Sequence, residues 1–157
     1  MTGVAHIDVA RVGDLPALMR VMEAAFDPAY GEAWSSAQLL TLFALPSARL
    51  CLARCGGTVC GFYAARLAGP ESELLLLAVE PAWRGQGVGE QLMADWQRWA
   101  AGEGAEDYFL EMRADNEAAR LYRRCGFAEC GRRIGYYRGG DGALRDAITM
   151  RRPVRKD

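Results

Sequence analysis

Six consecutive residues, Arg84-Gly85-Gln86-Gly87-Val88-Gly89, have the composition of an anion-binding turn. They follow an apolar run, residues 73–80, and open an amphipathic stretch, so they lie where a strand gives way to a helix. The first amides of a helix have no internal partner and point outward. The helix dipole adds partial positive charge there. Glycines remove the side chains that would hold an anion away. Together these features suit a phosphate or pyrophosphate. A glycine-rich connector with no ligand is the alternative reading of the same residues. The dinucleotide fingerprint needs a different third spacing, and the P-loop needs Gly-Lys-Ser or Gly-Lys-Thr; neither fits.

Two side chains downstream could move protons. Glu111 lies in the alternating stretch DYFLEMR, with Phe109 and Arg113 on its face and Tyr108, Leu110 and Met112 on the other. It reads either as a carboxylate on a solvated strand face or as a general base. Tyr122 shares the inward stripe of a short helix with Ala118, Leu121 and Cys125. It reads either as a core aromatic or as a proton donor, since a phenol with a pKa near 10 stays protonated at neutral pH. Gly126, just beyond, reads as the helix C-cap.

Other chemistries are poorly provided for. His6 is the single histidine, and its apolar stretch near the N-terminus suggests a structural role, which speaks against a Ser-His-Asp or Cys-His hydrolase. The five cysteines, Cys51, Cys55, Cys60, Cys125 and Cys130, form no C-x-x-C pair, so no metal is expected. They read as reduced, buried thiols of a cytoplasmic protein. The N-terminal stretch shows no charged-then-apolar leader. No apolar run reaches the roughly 18 residues that span a bilayer, so no membrane is expected. A net charge of −1 gives no basic excess for nucleic acid.

The elements that must position these residues are readable from periodicity. The 157 residues are 51% hydrophobic and 25% charged, which suits one globular domain spanning 1–157. Residues 5–12 alternate as a strand, with Asp14 as cap of a helix carrying Leu15, Leu18, Met19, Met22 and Phe26. Ser35 and Gln38 form a capping-box pattern before Leu39, Leu40, Leu42 and Phe43. Strands are expected at 49–55 and 58–66, joined by a tight turn at Gly56-Gly57. The run 73–80 predicts a strand covered on both faces. Residues 87–101 predict a helix with Val88, Leu92, Met93, Trp96 and Ala100 inward and Gly102 as C-cap. A strand at 107–113, a helix at 116–125, and a hairpin of 127–137 with 143–151 complete the chain, with 152–157 fraying. The fold class is therefore α/β (α+β), a mixed, mostly antiparallel sheet of about seven strands with helices on both faces.

The glycine turn resembles the R/Q-x-x-G-x-G/A motif of the GCN5-related N-acetyltransferases (GNAT), whose amides hold the pyrophosphate of acetyl-CoA. LLAVEPAWRGQGVGEQLM, LEMRADNEAARLYRRCGF and RRIGYYRGGDGALRDAITM occur in the order seen in RimI-type members, which acetylate the N-terminal alanine of a ribosomal protein. The resemblance covers most of the chain, most strongly from about residue 73. It implies the GNAT fold and acetyl-CoA as acetyl donor. It also implies that the amides of Gly85, Gln86, Gly87, Val88, Gly89 and Glu90, with Arg84, hold the pyrophosphate. Leu77, Ala78 and Val79 would offer backbone groups to the pantetheine arm and the acetyl carbonyl. Glu111 would be the general base and Tyr122 the acid that protonates the departing thiolate. Trp34, Tyr136 and Tyr137 would border the acceptor.

Two departures from that pattern stand out. The family's coenzyme-contacting Asn lies seven residues before the Tyr, whereas Asn116 here lies six before and Asp115 seven. Asn116 is favoured, since an anion is a poor neighbour for phosphates; either residue could equally cap the helix. RimI-type chains usually read Glu-Asp-Ala where this one reads Arg145-Asp146-Ala147. Arg123 and Arg124 read as a solvated face. The expected acceptor is the α-amine of a protein or peptide, a ribosomal protein by resemblance. A small-molecule amine is the alternative acceptor, and a non-catalytic acyl-CoA-binding regulatory module is the alternative outside enzymology.

Overall fold

The computed structural model describes residues 5–30 and 32–155. One seven-stranded sheet carries the molecule, in the order β1-β2-β3-β4-β5-β7-β6. Its strands are β1 (His6–Val9), β2 (Ala48–Cys55), β3 (Thr58–Ala68), β4 (Glu71–Val79), β5 (Asp107–Arg113), β6 (Ala128–Arg138) and β7 (Leu144–Pro153). Neighbours pair antiparallel except β4 with β5, which run parallel. Helices α1 (Leu15–Ala25) and α2 (Ser36–Phe43) cover one face; α3 (Val88–Gly102) and α4 (Ala119–Arg124) cover the other.

Each face has its own core. Leu18, Val21 and Met22 of α1 and Leu39 of α2 meet Leu52, Phe62 and Ala64. Leu92, Met93 and Trp96 of α3 meet Tyr63, Leu110 and Met150 on the opposite side. Trp96 is fully buried, stacks on Phe127 at 5.9 Å and gives its indole N–H to Ser72 Oγ at 2.9 Å. The Ser35–Gln38 capping box forms as expected, with Gln38 N donating to Ser35 Oγ and Ser35 N donating to Gln38 Oε1. Gly56 and Gly57, at φ +59° and +84°, make the mirror-image turn between β2 and β3.

Several boundaries differ from expectation. The first strand ends at Val9, because Val12–Asp14 coil into a 3-10 turn; the Asp14 carboxylate accepts from Arg11 N and does not cap α1. His6 stands three-quarters exposed beside Asp8. Gly102 is the last residue of α3, and Gly104 at φ +93° makes the reversal. The expected helix at 116–125 begins only at Ala119, since Asn116 and Glu117 form a turn before it. The chain does not fray at 152: Arg152 and Pro153 pair with Tyr108 and Asp107, and Val154 N bonds Glu106 O. The remainder of that expected tail, 156–157, lies outside the described residues. Among the described residues, no helix is long and apolar enough to cross a membrane.

The feature that makes room for a site lies in β4. Its pairing with β3 runs Ala64 to Leu76 and then Ala65 to Leu74, leaving Leu75 as an extra residue. A bulge changes the phase of the strand. Leu74 therefore packs into the α3–α4 core, while Leu76 and Ala78, of the same parity, pack into the α1–α2 core. At the same place the β4–β5 ladder stops, its last pair being Leu74 with Leu110. Beyond it the two strands part, and a cleft opens between Leu75–Val79 and Glu111–Arg113.

Candidate active site

The cleft has a volume of about 1720 Å³ and reaches from the glycine turn to the β6–β7 hairpin. Its first wall is the free edge of β4. Glu80 N donates to Cys60 O, so Glu80 and, two residues back, Ala78 turn their peptide groups toward β3. By alternation Leu77 and Val79 turn theirs into the cleft. Val79 O is indeed met from that side, by Arg84 Nε at 3.2 Å. Of the three expected backbone contacts, Leu77 turns its peptide groups to the cleft, and Val79 its N–H, its carbonyl oxygen being taken by Arg84. Ala78 lines the cleft with its peptide committed to β3.

The glycine turn forms the next wall. Gly85 and Gly87 adopt φ +75° and +85°, a conformation that costs an L side chain about 1–2 kcal/mol. Gly87 is the N-cap of α3 and brings no side-chain acceptor, so the first amides of α3 keep their hydrogens for something else. Gly89 lets α4 approach: a Cβ there would stand 2.9 Å from Leu121 Cδ2. Gly85, Gly87, Val88, Gly89 and Glu90 line the cleft, as does Arg84. The Arg84 guanidinium is taken up by carbonyl oxygens of Val79 and Ala25, the latter at 3.0 Å, so it ties the turn to α1. Gln86 is not among the lining residues; its amide donates to Ala82 O.

Glu111 and Tyr122 face this same cleft from different elements. Glu111 lies on β5 beyond its last pair with β4, in the part of the strand that has lost its parallel neighbour. Its Oε2 is 3.2 Å from Arg133 Nε of β6. Tyr122 is held by the C-terminal cap of α4. Phe127 N donates to Tyr122 O and Gly126 N to Arg123 O, with Gly126 at φ +91°, which is a Schellman motif. Its hydrophobic contact is the edge-on approach of Phe127 to the Tyr122 ring. The spacing Tyr-x-x-x-Gly-Phe is thus the covalent form of a cap that sets one tyrosine. The phenol is buried, which raises its pKa, and the nearby Glu32 carboxylate pushes the same way.

The far end of the cleft is bounded by β6, β7 and the segment before α2. Tyr136 and Tyr137 meet edge-on at 5.1 Å, and both line the cleft with Trp34. Burial raises the Tyr137 pKa, followed by the charges of Glu111 and Glu32. In β6, Ile134, Gly135 and Tyr136 together oppose Asp146 alone. Asp146 holds that bulge by accepting from Gly135 N at 2.9 Å and pairing with Arg132 at 2.8 Å.

A second set of charges was not legible as a site. Arg113, 8% exposed in its side chain, pairs with Glu32 at 3.1 Å and Asp115, and lies 3.7 Å above the Tyr30 ring. Glu32 also accepts from Asn116 Nδ2 at 3.2 Å. Asn116 Oδ1 accepts from Ala118 N, which makes it the turn-former before α4. Asn116 and Asp115 both line the cleft, with the Asp115 carboxylate drawn to Arg113. Arg145 lies 4.8 Å from the Tyr30 ring centre and pairs with Asp141 at 3.0 Å. Tyr30 ends a single 3-10 turn and Glu32 lies between it and α2, a stretch with no periodicity in the sequence to mark this cluster. Among the described residues, no three His, Cys, Asp or Glu side chains are grouped to hold a metal ion.

Comparison with known proteins bears on this geometry. The model of the "Acetyltransferase (GNAT) domain" family matches residues 46–129, from β2 through the glycine turn to α4 and the start of β6. The N-alpha-acetyltransferase RimI of Mycobacterium tuberculosis is 38% identical over 124 residues, 76% of this chain and 75% of that protein. The [ribosomal protein bS18]-alanine N-acetyltransferase of Escherichia coli K12 is 34% identical over 99 residues, 62% of this chain and 66% of that enzyme. The crystal structure of the ribosomal-protein-S18-alanine N-acetyltransferase from Escherichia coli superposes with a TM-score of 0.86, at 28% identity, over 98% of this chain and 96% of that one.

Proposed function

The chain belongs to the GNAT acetyltransferase family, and from that premise we propose that it transfers an acetyl group from acetyl-CoA to the α-amine of a protein or peptide, in a ternary complex. The observation that carries this reading is the convergence of Glu111, Tyr122, the free β4 edge and the glycine turn on one cleft. GNAT acetyltransferases use acetyl-CoA, and the cleft has fitting parts for it. The open amides at the start of α3 suit the pyrophosphate. The cleft-facing peptide groups of Leu77 and Val79 suit the pantetheine amides and the acetyl carbonyl oxygen.

Acetyl-CoA supplies the acetyl group as a thioester. An α-amine has a pKa of about 7.7–8.0, so much of it must lose a proton before it can attack. Glu111, which pairs with Arg133 in the unliganded cleft, takes that proton, directly or through one water. Donors along the β4 edge stabilise the oxyanion that develops at the carbonyl. Tyr122, kept protonated by burial, gives its proton to the departing sulfur. Trp34, Tyr136 and Tyr137 bound the space for the first residues of the acceptor. The proposed compartment is the cytoplasm, in keeping with five free thiols among the described residues.

A peptide α-amine is preferred over a small amine because of the far end of the cleft. Gly140 N bonds Pro28 O at 3.2 Å, which ties together the two segments whose Trp34, Tyr136 and Tyr137 line that end. The test is mass spectrometry of an acceptor panel with acetyl-CoA: a peptide with a free α-amine, the same peptide Nα-blocked but carrying a lysine, and small polyamines. Acetylation of the free α-amine is expected. Acetylation of the small amines alone rejects this acceptor class.

A further inference from the structure

Arg133 is an odd neighbour for a base. Its side chain is 62% exposed, yet it turns inward to pair with Glu111 at 3.2 Å and lies 5.0 Å from the Tyr136 ring centre. The bulge at 134–136 begins immediately after it, and β6 resumes its pairing only at Tyr137. Arg133, Tyr136, Tyr137 and Arg138, in or beside that interruption, all line the cleft. Arg138 has no carboxylate partner among the described residues.

Charge balance here changes when an acceptor arrives. Before binding, Glu111 neutralises Arg133. An incoming ammonium competes for the Glu111 carboxylate, and once Glu111 accepts a proton it has no charge left to offer. Arg133 is then without its anion, and Arg138, which also lines the cleft, brings no carboxylate partner among the described residues. The other cations of this end do not share the deficit, since Arg113 keeps Glu32 and Arg145 keeps Asp141. A guanidinium so exposed and held by one carboxylate and one ring is cheap to re-aim. A carboxylate carried by the acceptor itself, close to the reacting amine, would restore the balance and leave Glu111 free to act. A basic side chain in that place would meet the unpaired Arg133 guanidinium, and like charges held together are a strong means of exclusion.

Resting on the reading of Glu111 as base, we propose that Arg133 is a positioning and specificity-determining residue that selects acceptors with an acidic side chain at the second or third position. On binding it passes from Glu111 to that carboxylate, with Arg138 as the second cation of the same subsite. The acceptor class is therefore an acidic protein N-terminus.

Steady-state acetylation of three peptides identical except at the second residue (Glu, Ala or Arg), by the wild type and by Arg133→Ala, Arg133→Lys and Arg138→Ala, tests this. The readout is the ratio of kcat/KM for the Glu peptide to that for the Ala peptide, which cancels any general loss in a variant. In the wild type the ratio should be about ten, a coupling typical of a partly exposed charge pair, with the Arg peptide poorest. It should fall toward one in Arg133→Ala, recover in part in Arg133→Lys, and fall less in Arg138→Ala. A wild-type ratio near one, or a ratio of ten that survives Arg133→Ala, overturns the proposal while leaving the α-amine reading intact. Acetylation of polyamines with none of the three peptides modified overturns both.

Discussion

Tyr122 illustrates how a side chain acquires a role from its cap and its burial. Burial lifts its pKa above the ordinary value of 10.0, so the proton it must donate stays in place through the neutral range. The alkaline limb of kcat due to this group should therefore lie above pH 10, and Tyr122→Phe should remove it. A limb below pH 10 that vanishes in the variant would contradict the assignment. Strand alternation and a helical stripe gave Glu111 and Tyr122 their faces in the sequence, but the pattern left each with two readings, and only the family resemblance singled them out. Arg133 and Glu32 went unmarked. Each acquires its meaning from a partner on another element, Glu111 for one and Arg113 with Asn116 for the other, and local periodicity carries no trace of such pairs.

At the scale of elements, the decisive event is the single extra residue at Leu75. The sequence places a strand there, since six apolar residues in a row, Leu74 to Val79, suit a strand covered on both faces. The same run conceals the bulge: with no polar residue to mark the phase, a shift of one position between Leu74 and Leu76 leaves no sign. The glycine turn was more legible, as its positive φ values at Gly85 and Gly87 demand glycine. Gly87→Ala should lose about 1–2 kcal/mol of stability and raise the KM for acetyl-CoA, with less effect on the KM for the acceptor. The hairpin tip gives the converse prediction. A Cβ at Gly139 would land on the carbonyl oxygen of Ala29, so Gly139→Ala must part the tip from the loop before α2. It should raise the KM for the peptide and spare that for acetyl-CoA. Equal changes in both constants for either variant would mean that the two ends of the cleft are not separable.

For the molecule as a whole, the sequence supported the seven-stranded mixed sheet and its two helical layers, because apolar stripes and turn glycines fix elements one at a time. It misjudged how the chain ends, expecting a frayed tail from 152, since the last pairs of β7 depend on β5 lying beside it. Stability should decline in alkali. Burial raises the thiols of Cys51 and Cys60 from 9.0 to about 11 and about 12. Each keeps a proton in the folded state that the unfolded chain releases above pH 9. That contribution is complete below pH 9 and is lost as the pH climbs through the folded-state values. Urea midpoints should fall steadily above pH 9, and a midpoint constant to pH 11 would contradict the burial of these groups. Acetyl-CoA, if it binds only the folded cleft, should add about 2.7 kcal/mol at a hundredfold excess over its Kd.

The claim on which the account turns is that Glu111 and Tyr122 serve one transfer as base and acid. Single-turnover acetylation of a free α-amine peptide, with acetyl-CoA and peptide both saturating, compares the wild type with Glu111→Gln and Tyr122→Phe. Both variants should hold acetyl-CoA with near wild-type affinity, and each should lose about a hundredfold or more in rate, as removal of a positioned proton-transfer group does. Undiminished rates in both variants, on a peptide that the wild type acetylates, would contradict the account at its centre.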